Sequence, residues 1–309
     1  MDDLCAMWRL LSFSHLWIAF GAFATTMLSW LWVGEDHALA NGGLAAAVWV
    51  GASTGLGYTV QRGIKYMGHA ESLPPLRRAF WRQGGTLLGA GWLIAWGSIT
   101  WVFWADLAWW TPRRWPVAVG LGVMGIAYAF LPGVSGGLRS VTWLKIPVIA
   151  AVWATATTHH PEVATDGAAW VHRFLLVAAL TLPFDLRDVD VDRPCMRTLP
   201  MLWGPARTLR VAQGLALASA TVALWAWATR VHVAGTLRPL EVGPLVAALQ
   251  SLAVVGVLRP TASLAKLTHR DERVKERWTG WVLDGMLCLP YLVLLAAHLA
   301  LEALALVLP

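Results

Sequence analysis

The chain has 309 residues, of which 57% are apolar and only 14% are charged. A soluble domain usually has about 25% charged residues, so the composition excludes an ordinary soluble domain, a disordered chain and a fibrous repeat. The net charge of +6 does not indicate a nucleic-acid partner, because in a membrane protein it reflects loops that face anionic lipid. The long apolar blocks do not alternate as the strands of a transmembrane barrel do.

The spacing of the charged residues predicts membrane-spanning helices. Lys, Arg, Asp and Glu are absent from residues 10–34 and 37–61, and about 20 apolar residues are enough for a helix to cross a bilayer. The nine predicted helices are Leu10–Val33, Ala38–Val60, Gly84–Ala105, Trp115–Val134, Val141–Thr157, Arg173–Asp185, Leu209–Thr229, Val242–Val257 and Trp278–Val307. We therefore predict an all-α polytopic membrane protein, with residues 1–309 forming one transmembrane domain.

The basic residues predict how these helices are oriented. Most of the 24 Lys and Arg lie in the N-terminal segment and in the loops after the second, fourth, sixth and eighth helices. Basic residues stay on the cytoplasmic side of a membrane. We therefore expect a multi-pass integral membrane protein with the N-terminus inside and the C-terminus outside. The main cytoplasmic loops would be Gln61–Gln83, Leu186–Arg210 and Arg259–Arg277.

The segment Pro183–Arg193 carries four carboxylates at the end of an apolar helix. They are Asp185, Asp188, Asp190 and Asp192. If the helix continues, the first, second and fourth lie on one face and the third points away. Three like charges on one face need a neutralising cation, and carboxylate oxygens suit Mg²⁺. The alternative is a solvated helix end whose acids pair with Arg187 and Arg193.

Basic residues accompany these aspartates on the same predicted side of the membrane. They are Arg62, Lys65, Arg77, Arg78, Arg139, Lys145, Arg193, Arg197, Arg207 and Arg210. Since Arg binds phosphate oxygens through a bidentate fork, such a ring around a carboxylate–Mg²⁺ site suits a diphosphate. For most of them the preference for the cytoplasmic side is explanation enough. Lys145 differs, because it adjoins the apolar run Ile146–Thr157, where a Lys snorkels or meets an anion.

The aspartate segment resembles a known motif. Residues Asp185–Arg193, followed by Arg197–Pro200 and Gly204, resemble the second aspartate-rich motif of the UbiA-type intramembrane prenyltransferases. In that motif D-x-x-D-x-x-x-D leads to a basic residue, then T-L-P and a glycine. The segment Leu138–Trp153 is similar to the family's fourth-to-fifth helix region with its phosphate-side lysine. The segment Trp281–Gly285 is similar to the last helix of some members.

The resemblance implies a bundle of about nine transmembrane helices around a central cavity. It implies a transferase of isoprenoid biosynthesis that binds an isoprenyl diphosphate with Mg²⁺ and moves the prenyl group to an acceptor, often an aromatic ring. Asp185, Asp188 and Asp192 would bind Mg²⁺ and, with Lys145, form the catalytic set. The residues expected to contact diphosphate are Arg62, Lys65, Arg139, Arg193 and Arg197.

One departure from the family pattern leaves two interpretations open. The family's first motif, N-D-x-x-D-x-x-x-D, follows its second helix, whereas residues 57–71 of this chain contain no aspartate, and Glu71 is the only acid. Arg62 and Lys65 could supply the positive charge of a second metal, with Gln61 as a neutral contact. Alternatively, the chain is a catalytically degenerate member that binds an isoprenoid lipid or a membrane partner without turnover.

Overall fold

The computed structural model describes residues 10–33, 42–69, 73, 75–129, 137–159, 166–193, 196–234, 243–259, 274 and 278–307. Within these ranges the chain forms nine helices of 14 residues or more and no strand. They are α1 (Leu16–Val33), α2 (Gly43–His69), α3 (Pro75–Val102), α4 (Trp104–Ala129), α5 (Lys145–Thr158), α6 (Gly167–Arg187), α7 (Pro205–Ala234), α8 (Gly243–Val257) and α9 (Asp284–Val307). The prediction of an all-α polytopic membrane protein is confirmed.

Shorter helical pieces join some of these helices. They are Leu138–Ser140, Val189–Asp192, Leu199–Trp203 and a π-helical segment, Trp278–Leu283. The π-helical segment leads directly into α9, and the turn Val189–Asp192 follows α6 after a break at Asp188. Both pieces therefore lie where charged residues meet the apolar helices.

Five helices, α2, α3, α4, α6 and α7, are longer than the charge spacing predicts, and two of them show why. α2 continues through Arg62 and Lys65 to His69, and α3 already begins at Pro75, so much of the predicted loop Gln61–Gln83 is helical. Arg and Lys are good helix formers, and a helix can extend beyond the bilayer because its backbone hydrogen bonds are internal. The first charged residues of a segment therefore mark where the helix leaves the apolar part of the membrane, not where the helix ends.

In the described part of the chain, four helices are by length and composition long and apolar enough to cross a membrane. They are Leu16–Val33, Pro75–Val102, Gly167–Arg187 and Pro205–Arg230. The most apolar part of α3 is only 6% buried, and Leu87, Ile94 and Trp101 on it are largely exposed. An apolar surface of this kind is expected to face lipid.

The centre of the bundle is formed by α1 and α6. In the most apolar part of each of these helices, 61% of the residues are buried. α6 packs against α5 and α7, and α1 packs against α2 and α9. On α7 the residues Ala212, Ala216, Ala220 and Ala223 are buried at helical spacing. Small residues let transmembrane helices approach closely, so this alanine row brings α7 against the core.

Polar contacts hold α6 at the end opposite the aspartates. Asp166 caps the helix by accepting from Ala168 N at 2.9 Å, and it also accepts from Trp32 Nε1 at 2.8 Å. The same carboxylate pairs with Arg230 of α7. These contacts tie the beginning of α6 to α1 and α7.

Arg173 is not the first residue of the sixth helix, as the charge spacing predicts, but lies within α6, which begins at Gly167. Its guanidinium is buried and donates to Thr25 O at 3.0 Å and Ser29 Oγ at 3.2 Å, both on α1. The helix starts earlier because Asp166 supplies an N-cap ahead of Gly167. Arg173 therefore links α6 to α1 inside the bundle.

Candidate functional site

A cavity of about 320 Å³ opens between α1, α2, the beginning of α3, α4, α5, α6 and the start of α9. Its lining changes in character along the helices. On α6 the cavity face runs from Val177 and Leu180 to Asp185, and on α5 it runs from Trp153 back to Lys145. The cavity therefore has a charged end and an apolar end.

The charged end is organised around one lysine. Lys145, the first residue of α5, places Nζ 2.7 Å from Asp185 Oδ1 and 3.3 Å from Asp192 Oδ2. The break after Arg187 and the following helical turn return Asp192 to the cavity, while Asp190 is exposed. Lys145 thus bridges two carboxylates that are seven residues apart in sequence.

The third carboxylate is held by its neighbour in sequence. Two guanidinium nitrogens of Arg187 donate to the Asp188 carboxylate, Nε to Oδ1 at 2.6 Å and Nη2 to Oδ2 at 2.8 Å. The third guanidinium nitrogen, Nη1, donates to Thr279 Oγ1 at 2.9 Å. Burial alone would raise the pKa of Asp188, but the charge and hydrogen bonds of Arg187 prevail and hold it below its usual range. Asp188 is therefore ionised.

The opposite wall of the charged end is basic. Arg62 and Lys65 of α2 and Arg77 of α3 line the cavity together with Gln61. A turn at His15, which has a left-handed φ of 64°, brings a further ring to this wall.

His15 is a neutral member of the basic wall. Its Nδ1 lies 2.9 Å from Thr59 Oγ1. Burial, together with the charges of Arg62 and Arg77, lowers the pKa of His15 to about 3. The positive charge of this wall consequently comes from Arg and Lys.

The apolar end is lined by aromatic and aliphatic side chains. They are Trp17, Ile18, Met124, Val148, Ile149, Val152, Trp153, Val177, Leu180, Phe184, Leu283 and Leu287. Two tyrosines, Tyr58 and Tyr128, lie on the lining as well, and so does one acid, Asp284. An enclosure of this kind can hold an apolar chain and keep water away from a reactive carbon.

The structure brings together six of the nine residues that the sequence indicates for the site. Asp185, Asp188, Asp192, Lys145, Arg62 and Lys65 all line the cavity. Arg193 and Arg197 are exposed and do not belong to the described cavity lining. The backbone oxygen of Arg197 accepts a hydrogen bond from Thr142 Oγ1 at 2.7 Å. The side chain of Arg139 lies outside the described part of the chain.

Sequence reasoning did not single out His15, Tyr58 or Tyr128 for the cavity. For Tyr58 a signal exists, because Tyr58, Arg62 and Lys65 follow one another at i, i+4 and i+7 on one helix face. For His15 and Tyr128 no such signal exists, since only the packing of α1 and α4 brings them to the cavity.

The carboxylates do not form a metal-ligand set as they are arranged. In the part of the chain that the structure describes, no three His, Cys, Asp or Glu side chains are grouped so that they could hold a metal ion. Lys145 engages two of the aspartates and Arg187 engages the third. A divalent ion would have to displace these ion pairs before it could be coordinated.

Solved structures of known proteins match this arrangement of helices. A UbiA homolog from Archaeoglobus fulgidus bound to GPP and Mg²⁺ superposes with a TM-score of 0.54 at 12% identity, over 93% of this chain and 99% of that chain. A structure of a UbiA homolog from the same organism bound to DMAPP and Mg²⁺ gives 0.52 at 12% identity, over 92% and 99%. No family model and no curated protein match the sequence. The chain has the fold of the UbiA homologs.

Proposed function

We propose that this protein is an integral membrane prenyltransferase that moves an isoprenyl group from its diphosphate to an aromatic or lipid acceptor. One observation carries the proposal: a single cavity has a charged end and an apolar, aromatic end. An isoprenyl diphosphate has the same two-part chemistry. The UbiA homologs with this fold were solved with GPP and DMAPP, which supports this class of donor.

The proposed reaction breaks the bond between the allylic carbon and the diphosphate oxygen. The diphosphate leaves with the electron pair, the carbon bonds to the acceptor, and the acceptor loses a proton. Cationic side chains at the charged end would neutralise the leaving group. The rings of Trp153 and Phe184 would shield the electron-poor carbon from water.

Mg²⁺ at Asp185, Asp188 and Asp192 stays a prediction from the sequence. Mg²⁺ is present in both structures of the UbiA homologs. In this chain each of the three carboxylates already has an ion-pair partner, Lys145 for Asp185 and Asp192 and Arg187 for Asp188. No step of the proposed function is therefore assigned to a metal ion.

The ion-paired carboxylates favour a second candidate function. A member without turnover would bind an isoprenoid lipid or its diphosphate in the same cavity, and it would need no metal-ligand set. The two candidates differ in one observable, the appearance of a prenylated product.

The test uses purified protein in detergent with geranylgeranyl diphosphate and a panel of aromatic acids. Diphosphate release and prenylated product are measured, together with the melting temperature. We expect product formation and a donor-induced rise in melting temperature. Val152→Trp, which fills the apolar end of the cavity, should abolish both. Leu217→Trp, at a position 54% exposed on α7, is the matched control and should change neither.

The other results decide between the candidates. A rise in melting temperature that Val152→Trp removes, without product for any acceptor or chain length, would establish binding without turnover. If neither an isoprenyl diphosphate nor an isoprenoid lipid without diphosphate stabilises the protein, both candidates are wrong and only the fold assignment remains.

A further inference from the structure

The charged end of the cavity has an acidic wall and a basic wall. On the α6 wall, Asp185, Asp188 and Asp192 are paired with cations of the chain itself. On the opposite wall, Arg62, Lys65 and Arg77 line the cavity. The cavity lining contains five Lys and Arg and four Asp. The lining therefore has no excess of negative charge that would require bound cations.

The pairing of the acidic wall is geometrically strong. The contact between Lys145 and Asp185 is 2.7 Å, and both side chains are largely buried, at 14% and 5% exposed. Arg187 donates two hydrogen bonds to the Asp188 carboxylate and a third to the Thr279 hydroxyl. Breaking a buried ion pair leaves an uncompensated charge, so a metal ion would have to offset that cost at each aspartate that it recruits.

The basic wall is suited to an anion. Arg62 and Lys65 lie three residues apart on α2 and therefore project from one face of the helix. Arg77 reaches the same wall from α3. Guanidinium and ammonium groups form charge-assisted hydrogen bonds with phosphate oxygens. His15 is neutral beside them, and it can contact a bound anion without adding charge.

We propose that Arg62 and Lys65, with Arg77, form a metal-independent binding site for the diphosphate group of the donor, in place of a metal-ligand set on α2. This inference rests on the proposed function, since it assumes that an isoprenyl diphosphate is the donor. It changes what the site requires: fixed cations of the chain hold the leaving group, and the α6 aspartates position Lys145 and Arg187.

The experiment measures binding in the absence and presence of divalent ions. Inorganic diphosphate and geranylgeranyl diphosphate are titrated into detergent-purified protein by calorimetry, first with EDTA and then with Mg²⁺. Wild-type protein should bind both probes in EDTA, within about tenfold of the affinity in Mg²⁺. Arg62→Gln/Lys65→Gln should weaken binding by about 100-fold or more, because two charge-assisted hydrogen bonds are lost.

Two control variants separate recognition from folding and from bulk charge. Arg62→Lys/Lys65→Arg keeps both charges and should retain most of the affinity in EDTA. Arg82→Gln/Arg210→Gln removes the same number of charges from exposed positions, and it should bind as wild type does.

The outcomes distinguish the inference from the proposed function. Binding only in Mg²⁺, with the Arg62→Gln/Lys65→Gln variant unaffected, overturns the inference and leaves the proposed function standing. Binding in EDTA without any prenylated product supports the inference and removes only turnover. Absence of binding in both conditions overturns the two together.

Discussion

At the scale of single residues, Lys145 is the cation that pairs with two of the cavity's aspartates. It begins α5 and contacts two aspartates that belong to different helical pieces, Asp185 in α6 and Asp192 in the turn after it. The side chain therefore joins α5 to both sides of the break at Asp188. The Lys145 ammonium group is therefore ion-paired within the protein in the absence of a ligand.

Lys145→Met should destabilise the protein by about 3 to 5 kcal/mol, the cost of leaving buried carboxylates without their partner. The free energy of unfolding is measured in mixed micelles. Lys145→Met/Asp185→Asn should recover part of the loss, with a coupling energy of about 0.5 to 3 kcal/mol. Losses that simply add would show that the two side chains do not interact as the structure has them.

Thr279→Val tests the support of Arg187. The substitution keeps the shape of the side chain and removes the hydroxyl that accepts from Arg187 Nη1 at 2.9 Å. A buried donor left unsatisfied costs about 1 to 3 kcal/mol, and the melting temperature should fall accordingly. Thr221→Val on the exposed face of α7 is the control, and an equal effect there would contradict the assigned role.

At the scale of helices, the sequence predicts which segments are helical better than where they end. Each predicted span overlaps mainly with one observed helix, because stretches without charge mark the apolar part of the membrane. The ends of α2 and α3 were missed, since Arg62 and Arg77 lie in helices that leave this apolar part. The start of α6 was missed because Arg173 is buried in the bundle, where backbone and hydroxyl oxygens of α1 accept from it.

The contact between α2 and α3 leads to a matched pair of glycine substitutions. A Cβ at Gly55 would run into the ring of Trp92, whereas a Cβ at Gly57 meets nothing within 4 Å. Trp92 Nε1 donates to Ser14 O at 2.8 Å, next to the turn that places His15.

Gly55→Ala should therefore destabilise the protein by about 1 to 3 kcal/mol. Gly57→Ala should stabilise it by up to about 1 kcal/mol through helix propensity. Both are measured as changes in the free energy of unfolding in mixed micelles. Effects of the same sign at the two positions would show that α3 does not pack on α2 in this way.

At the scale of the whole molecule, composition alone establishes the class. The low charge content and the charge-free stretches predict a polytopic helical protein, and the helices confirm it. The acidic half of the site was accessible from the spacing of Asp185, Asp188 and Asp192. The apolar half was not, because Trp17, Trp153 and Leu287 come from three helices that are distant in sequence, and only tertiary packing brings them together.

The orientation in the membrane stays a prediction that fusion proteins can test. Basic loops stay cytoplasmic, so alkaline phosphatase fused after Pro309 should be active and green fluorescent protein at that position should be dark. The same two reporters fused after Arg207 should show the reverse. Inverted results at both positions would place the charged end of the cavity outside.

The attachment of α6 at both ends has a consequence for the length of the prenyl chain that the proposed function requires the cavity to hold. Asp166 is tied to Trp32 and Arg230 at one end, and Asp185 is tied to Lys145 at the other. A slip of one helical turn, about 5.4 Å, would break both attachments at once. α6 is therefore fixed along its axis. Under the proposed function, the number of carbons that fit beneath the head group of the donor would depend on the side chains along α6, not on sliding of the helix.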